Sequence, residues 1–351
     1  EWLTDKENPC DATRLLIVTF TNAAAAEMKE RISLKLSDLI EENPYDYNLQ
    51  RQQFLLSQAH ISTIHSFCSE LIRENFYKLG ISHDFRIADE KEMLILKDEV
   101  ISFVLNDIYE KDKNNFADLI DAFVTDKDDK KLTELINNIY EFIRSHTFPK
   151  DWLFQKACMY ENIKDVSTTL WGNVIIDYSL DAINYCIELT QNSLKFMQTE
   201  ENILKAYSPA FSSDLYSLEN LKENLENPSW DIIANLLENF KFENLKRISS
   251  SDNEFVKLKV LENRAKVKDI IKELKALFIC SNEECLEDIK RLKPVIFQLF
   301  DLVDNFSQRL DELKRSRKIV DFGDLEHLTL KLLVNKTENG YEKTEYASEL
   351  S

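Results

Sequence analysis

A short apolar segment that runs directly into a helix-forming segment constrains the fold more than any other feature of this chain. Residues 15–20 (LLIVTF) are almost all apolar and include β-branched members, which predicts a strand buried on both faces. Thr21 and Asn22 supply hydroxyl and amide groups where a helix must begin, and the alanines from Ala23 onward favour that helix. Such a helix directs free backbone N–H groups at an anion, so this junction predicts a phosphate contact.

A second junction of the same kind follows along the chain. His60–Ile64 (HISTI) is short and β-branched, which predicts a second core strand, and Thr63 can cap the helix that comes next. His65 lies one turn into that helix. Two such junctions on adjacent parallel strands would face the same side of a sheet. A lone histidine is more often structural, and Thr21 and Thr63 could act only as helix caps, so both interpretations stay open at this point.

A third polar turn lies near the end of the chain. Residues 319–325 (IVDFGDL) predict a compact turn that leads into an apolar helix over 325–334, and residues 85–88 predict a brief strand. Phe322 sits between two acids in this turn, where it could be a core aromatic or an exposed platform on which a base stacks. The basic run Lys314–Lys318 predicts a solvated helix C-terminus, with a phosphate-facing patch as the alternative.

The middle of the chain is helical in pattern. Only 4 glycines and 6 prolines punctuate 351 residues, and their scarcity favours long helices. The predicted helices span residues 91–110, 116–124, 131–146, 173–200, 217–224, 230–240, 255–278 and 283–315. The last two could pair as an antiparallel hairpin. The order of these parts predicts a helical domain inserted into a loop of an α/β domain.

Composition excludes several classes of protein. The net charge of −19 has the wrong sign for a general nucleic-acid binder, so any contact with nucleic acid must be local. No apolar run approaches ~20 residues, so we expect no membrane partner and a cytoplasmic location. The sequence contains no G-x-x-x-x-G-K-[ST] loop and no arrangement specific enough to identify a catalytic or metal-binding residue.

Three motifs in order resemble those of the UvrD/Rep-like superfamily 1 DNA helicases. Thr19–Met28 (TFTNAAAAEM) resembles motif Ia, Ser62–Cys68 (STIHSFC) resembles the T-x-H motif, and Val320–Leu325 (VDFGDL) resembles the D-F-x-D-L segment that precedes Walker B. Within the superfamily, the residues of these motifs are most similar to those of the AddA-type helicase/nuclease subunits. The resemblance implies a mixed, mostly α fold: a partial RecA-like α/β domain 1A over residues 1–88, a large all-helical insertion 1B over 89–318, and a return segment of 1A over 319–351.

The resemblance also implies roles for particular residues. Thr21, Asn22, Thr63 and His65 would contact the backbone of single-stranded DNA, and Phe322 would stack on a base. No catalytic, cofactor-binding or metal-binding residue is implied within this chain.

The family's Walker A and Walker B motifs are expected before residue 1 and after residue 351, so the chain is predicted to be an inactive fragment. The resemblance implies a parent protein that uses ATP and Mg²⁺, with neither expected on this fragment. That parent would unwind and resect double-strand DNA ends for recombinational repair. Its partners would be single- and double-stranded DNA ends and an AddB-type second subunit. The alternatives are a UvrD-type repair helicase without a nuclease, and a helical protein-interaction module.

Overall fold

The computed structural model describes residues 2–5, 10–112, 116–124, 129–248, 254–337 and 340–350. Over these residues the chain is mostly helical, and its short strands form three separate two-stranded sheets. The predicted mixed, mostly α class is therefore confirmed. Its finer assignment to domains 1A and 1B stays a prediction.

The described residues form six short strands and fifteen α-helices. The strands are β1 (Leu16–Thr19), β2 (His60–Thr63), β3 (Arg86–Ile87), β4 (Ile319–Val320), β5 (Val334–Thr337) and β6 (Gly340–Lys343). The α-helices of the described ranges are α1 (Asn22–Glu42), α2 (Tyr47–Leu55), α3 (Ile64–Glu74), α4 (Phe76–Leu79), α5 (Glu90–Asp107), α6 (Ala117–Phe123), α7 (Lys130–Ile143), α8 (Pro149–Cys158), α9 (Leu170–Met197), α10 (Glu201–Glu226), α11 (Trp230–Glu238), α12 (Glu254–Leu277), α13 (Asn282–Ser316), α14 (Phe322–Leu333) and α15 (Glu345–Glu349).

The chain divides into two compact units. The described residues of 1–114, 128–150 and 301–351 form the first unit, and those of 115–127 and 151–300 form the second. The predicted domain boundaries at residues 88 and 318 stay a prediction. The first unit also takes in α5 and α7, because Lys97 of α5 pairs with Glu141 of α7 and Glu99 of α5 pairs with Arg317 beyond the end of α13.

The first sheet joins the two strands that precede the predicted phosphate-contacting turns. β1 and β2 pair in parallel, from Leu16 opposite His60 to Thr19 opposite Thr63. The prediction that the first strand is buried on both faces is wrong, because Leu16 and Val18 are exposed. An apolar run is compatible with one covered face as well as two, and α1 packs against this two-stranded sheet.

The second sheet brings the end of the chain back beside an early segment. β3 and β4 pair in parallel, with Arg86 opposite Ile319 and Ile87 opposite Val320. The helices α5 to α13 lie between these strands in sequence. The chain therefore leaves and rejoins the same strand pair, which is the order that an insertion requires.

The second unit is a helical bundle with polar groups inside it. α9 packs along both α10 and α12, and α11 packs on α10 and α12. The predicted hairpin of the last two long helices is therefore replaced by packing of α12 along α9. Inside the bundle, Arg264 Nε donates to Asp214 Oδ2 at 2.7 Å, and both side chains are buried. Asn263 Nδ2 donates to Ser193 Oγ at 3.1 Å.

Two helices differ clearly from the sequence prediction, and a proline is involved in each case. The sequence predicts a helix only over 217–224, whereas α10 begins at Glu201 and contains Pro209. The helix α8 has Pro149 as its first residue, a position where the missing N–H of proline costs little. The sequence predicts no helix over the residues of α8. Among the described residues, no helix is both long and apolar enough to cross a membrane.

Candidate nucleic-acid interface

The first junction of the candidate site lies between β1 and α1. Thr21 has an extended backbone and is the N-cap of α1, and its side-chain hydroxyl accepts a hydrogen bond from Ala24 N at 3.1 Å. Asn22 is the first helical residue and is exposed. The capping interpretation of Thr21 is therefore confirmed. A capped helix still directs the N–H groups of its first turn outward, so the cap does not exclude a phosphate contact.

The second junction repeats this arrangement between β2 and α3. Thr63 is the N-cap of α3, and its Oγ1 accepts from Ser66 N at 3.2 Å. Because Thr63 pairs with Thr19 in a parallel sheet, the helices α1 and α3 both begin at the same edge of that sheet. Neighbouring strands lie about 4.8 Å apart, so the two helix N-termini are close neighbours.

The third turn reaches this edge through a ring contact. The helix α14 packs on α3, and the ring centroids of His65 and Phe322 are 4.9 Å apart with an interplanar angle of 58°. His65 Nε2 lies 3.3 Å from Glu326 Oε1. Phe322 remains 53% exposed, so it is not a core aromatic. The structure thus brings together the N-termini of α1, α3 and α14, with His65 and Phe322 in contact.

The turn that carries Phe322 is stabilised by a reciprocal pair of caps. Asp321 Oδ1 accepts from Asp324 N at 2.7 Å, and Asp324 Oδ2 accepts from Asp321 N at 2.9 Å. This capping box fixes the backbone on both sides of Phe322. The D-F-G-D spacing of the sequence is therefore a helix start that presents its central aromatic side chain outward.

Beneath this turn lies an ion cluster of Arg144, Lys314, Asp321 and Asp324. Arg144 Nη2 donates to Asp321 Oδ1 at 2.7 Å and Nη1 donates to Asp324 Oδ1 at 3.0 Å. Lys314 Nζ lies 2.6 Å from Asp324 Oδ1 and 3.3 Å from Asp321 Oδ2. Burial by itself would raise the pKa of Asp321, but Lys314 and Arg144 outweigh burial and hold that pKa below its ordinary value.

The ion cluster corrects the prediction for Lys314, whereas residues 315–318 of the basic run are exposed as predicted. Lys314 is neither solvated nor aimed at a phosphate, because it is buried against the two carboxylates. Arg317 pairs with Glu99 at 2.8 Å, and Lys318 pairs with Asp84 at 2.9 Å. The acidic partners of Arg317 and Lys318 lie far away in the sequence, whereas the carboxylates around Lys314 are close to it in sequence.

Sequence reasoning missed Phe20 as a member of this edge. Phe20 lies between β1 and α1 and is 97% exposed. Its place at the end of an apolar run made it look like the last residue of a buried strand. The available signal was its position immediately before the cap Thr21, where the strand has already ended.

The sequence of the chain matches a known helicase family. The family model of the UvrD/REP helicase N-terminal domain matches residues 3–348. The chain therefore belongs to the UvrD/REP helicase family, and the resemblance inferred from the three motifs is confirmed. Among the described residues, no group of three or more potential ligand side chains is arranged to hold a metal ion.

Individual relatives in other organisms are also similar to the chain. It is similar to bacterial proteins named as the A-type subunit of an ATP-dependent helicase/nuclease. The relative from Acetivibrio thermocellus is 37% identical over 345 residues, covering 96% of this chain and 27% of the relative. Those from Ruminiclostridium cellulolyticum and Clostridioides difficile are 36% and 33% identical, covering 96% and 97% of this chain and 28% and 27% of the relatives. The chain thus spans little more than a quarter of these relatives.

Proposed function

We propose that the chain is part of an ATP-dependent DNA helicase and exonuclease that unwinds and resects double-stranded DNA ends for recombinational repair. Membership of the UvrD/REP family and the similarity to the helicase/nuclease proteins named above support this proposal. In that protein, residues 1–88 and 319–351 belong to a RecA-like domain 1A and residues 89–318 to a helical domain 1B. An AddB-type second subunit is its partner.

Within this protein, the edge formed by α1, α3 and α14 binds single-stranded DNA. Thr21, Asn22, Thr63 and His65 contact the phosphate backbone, and Phe322 stacks on a base. The observation that carries this proposal is the contact of His65 with Phe322, at 4.9 Å between centroids, beside the Thr19–Thr63 strand pair. Two polar helix starts and one exposed aromatic at a single edge supply both kinds of contact that a single strand needs.

The chemistry of this edge is binding. The first backbone N–H groups of α1 and α3 have no acceptor within the helix and carry the positive end of the helix dipole, which suits a phosphate oxygen. An aromatic face accepts any base, so the contact is independent of sequence. Because the chain is strongly acidic, the attraction is confined to this edge and weakens steeply with added salt.

ATP and Mg²⁺ serve the whole helicase in this proposal. The residues of this chain do not fit them, since the sequence has no G-x-x-x-x-G-K-[ST] loop and the described residues form no cluster of metal ligands. No step of ATP hydrolysis is therefore assigned to residues of this chain.

Fluorescence anisotropy with labelled oligo(dT) tests the proposal. We expect the chain to bind weakly, with an affinity that falls as salt rises and that does not depend on base sequence. The variants Thr21→Ala and His65→Ala should each weaken binding. Thr344→Ala is the matched control, because Thr344 caps α15 by accepting from Ala347 N but lies outside the edge.

The outcomes separate the proposed function from its alternatives. Absence of oligo(dT) binding at low salt would overturn the DNA-binding role and leave a helical protein-interaction module. Equal losses of binding for Thr21→Ala and Thr344→Ala would show that only helix capping matters. The reading frame around these codons distinguishes a helicase with a nuclease domain from one without it.

A further inference from the structure

The ion cluster beneath Phe322 contains more charged groups than a helix cap requires. A capping box between Asp321 and Asp324 already satisfies the first N–H groups of α14. The structure adds two cations to these carboxylates, and Lys314 lies almost completely out of solvent. Burying charged groups costs free energy, so the addition calls for a purpose beyond capping.

Arg144 binds α14 and its N-cap through both its guanidinium and its backbone oxygen. Its guanidinium donates to Asp321 at 2.7 Å and to Asp324 at 3.0 Å, so it bridges the residues on either side of Phe322 and Gly323. Its backbone oxygen accepts from His327 Nε2 at 3.0 Å, one turn further along α14. The planar fork of arginine suits this bridging, and a lysine could not reproduce it.

Gly323 is fitted to Arg144. A Cβ atom added at residue 323 would overlap Arg144 Nη2, so one of the two groups would have to move. The guanidinium is held by both aspartates, so it cannot move without breaking an ion pair. The absence of a side chain at this position is therefore part of how the arginine reaches the turn.

The cations and the carboxylates come from different parts of the chain. Arg144 follows α7, and Lys314 lies near the end of α13, both within the segment 89–318 that we assign to the helical insertion. Asp321, Asp324 and Phe322 belong to the return segment. The cluster is thus a point in the first unit where residues of the insertion hold the turn that carries the exposed aromatic.

We propose that Arg144 and Lys314 are positioning residues that hold Phe322 against His65 in the geometry that stacks on a base of single-stranded DNA. This inference rests on the proposed function. It adds that the stacking geometry is set from outside the turn, through the two cations. The aromatic ring makes the contact, and the ion cluster fixes where the ring lies.

The test uses short oligo(dT) in which some thymines are replaced by 2-aminopurine, whose fluorescence is quenched when it stacks. The unmodified chain should quench this signal on binding, and Phe322→Ala should abolish the quenching. Arg144→Met should reduce the quenching and weaken binding about fivefold, because the ring is present but misplaced. Arg264→Met is the matched control: it breaks a buried arginine–aspartate pair in the second unit and should leave quenching unchanged.

A double variant separates positioning from stability. Asp321→Asn keeps an acceptor for the cap and removes the charge that Arg144→Met leaves uncompensated. The double variant Arg144→Met with Asp321→Asn should regain resistance to urea relative to Arg144→Met and still fail to restore quenching. Recovery of quenching together with stability would overturn the inference.

A second variant reaches the same geometry without changing any charge. Gly323→Ala should displace the Arg144 guanidinium and reduce quenching about as much as Arg144→Met does. Unchanged quenching in both Arg144→Met and Gly323→Ala, with quenching lost in Phe322→Ala, would overturn the positioning role and leave the proposed function intact. Quenching that persists in Phe322→Ala would instead overturn the stacking role of Phe322 and with it this inference.

Discussion

Each compact unit holds an arginine–aspartate pair, which is buried in the second unit and half-buried in the first, and the two pairs differ in what surrounds them. In the second unit, Arg264 and Asp214 are 5% and 2% exposed at their side chains and lie among packed helices. In the first unit, Arg144 and Asp321 belong to a cluster that also contains Lys314 and Asp324, directly beneath an exposed phenylalanine. The Arg264–Asp214 pair stabilises a core, and the Arg144–Asp321 pair supports a surface.

A similar contrast holds between particular hydroxyl groups of the two units. Thr190 and Ser193 in the second unit are buried and donate to backbone oxygens of their own helix. Thr21 of the first unit caps an exposed helix start, with Phe20 beside it almost fully exposed. The hydroxyls of Thr190 and Ser193 bind only their own helix, whereas the cap at Thr21 lies beside an exposed aromatic on a surface suited to binding.

The largest effect that tests this contrast is the loss of Arg264. Arg264→Met leaves the Asp214 carboxylate buried without its cation, so we expect the free energy of unfolding to fall by about 3–5 kcal/mol. Urea unfolding followed by circular dichroism measures this. Lys272→Met, at an exposed lysine further along α12, is the control and should change stability little. A loss for Arg264→Met no greater than the control would remove the distinction between the two pairs.

Loss of the exposed aromatic should act on binding and not on stability. Phe322→Ala should weaken oligo(dT) binding by about 1–3 kcal/mol, which is the stacking free energy of one base on an aromatic ring. Phe154→Ala in the second unit removes another exposed phenylalanine and should leave anisotropy titrations unchanged. Similar losses in the two variants would show that the first unit holds no special edge.

Loss of the cap at Thr63 should give a smaller and mixed effect. Thr63→Ala removes the acceptor for Ser66 N, so we expect a loss of stability of about 1 kcal/mol together with weaker oligo(dT) binding. Thr344→Ala should give a stability loss of the same kind without a change in binding. Urea unfolding and anisotropy on the same samples compare the two effects, and a binding loss in Thr344→Ala would contradict the assignment of the edge.

Sequence reasoning found the junctions because their signals are local. The caps at Thr21 and Thr63 each depend on residues within three positions, so the sequence contains everything that decides them. The helix at the third turn was predicted to begin at Leu325, and the capping box starts it at Phe322 instead. The pairing of β3 with β4 could also have been predicted, because the chain must return after an insertion to the strand that it left.

What the sequence did not show depends on distant partners. Lys314 looked solvated because its neighbours in sequence are basic and polar, whereas its burial is decided together with Arg144, which lies far away in the chain. The exposure of Leu16 and Val18 depends on what covers the sheet, which an apolar run cannot reveal. Residue types predict elements well here, and burial requires the fold.

The smallest expected effect is a difference in pH dependence between the two aspartates. Burial raises the pKa of Asp214 above its ordinary value of 3.8 and outweighs Arg264, whereas Lys314 and Arg144 outweigh burial and hold the pKa of Asp321 below 3.8. As the pH falls toward 3.8, folded Asp214 binds its proton more readily than the unfolded chain does, so this group adds stability. Below 3.8, Asp321 is still charged in the folded state when it is protonated in the unfolded state, so its contribution to stability is lost.

The two asparagine variants should therefore change the pH profile in opposite directions. Asp214→Asn removes the stability that protonation of Asp214 adds as the pH falls. The free energy of unfolding should therefore fall more steeply on acidification above pH 3.8. Asp321→Asn removes the stabilisation that protonation of Asp321 would otherwise abolish. The fall in the free energy of unfolding below pH 3.8 should therefore become shallower. Urea midpoints measured across a pH series give both slopes, independently of any constant offset from the substitutions. Parallel profiles for the two variants would mean that the two pairs share one electrostatic character, and the contrast between a core pair and a surface-supporting pair would then rest on geometry alone.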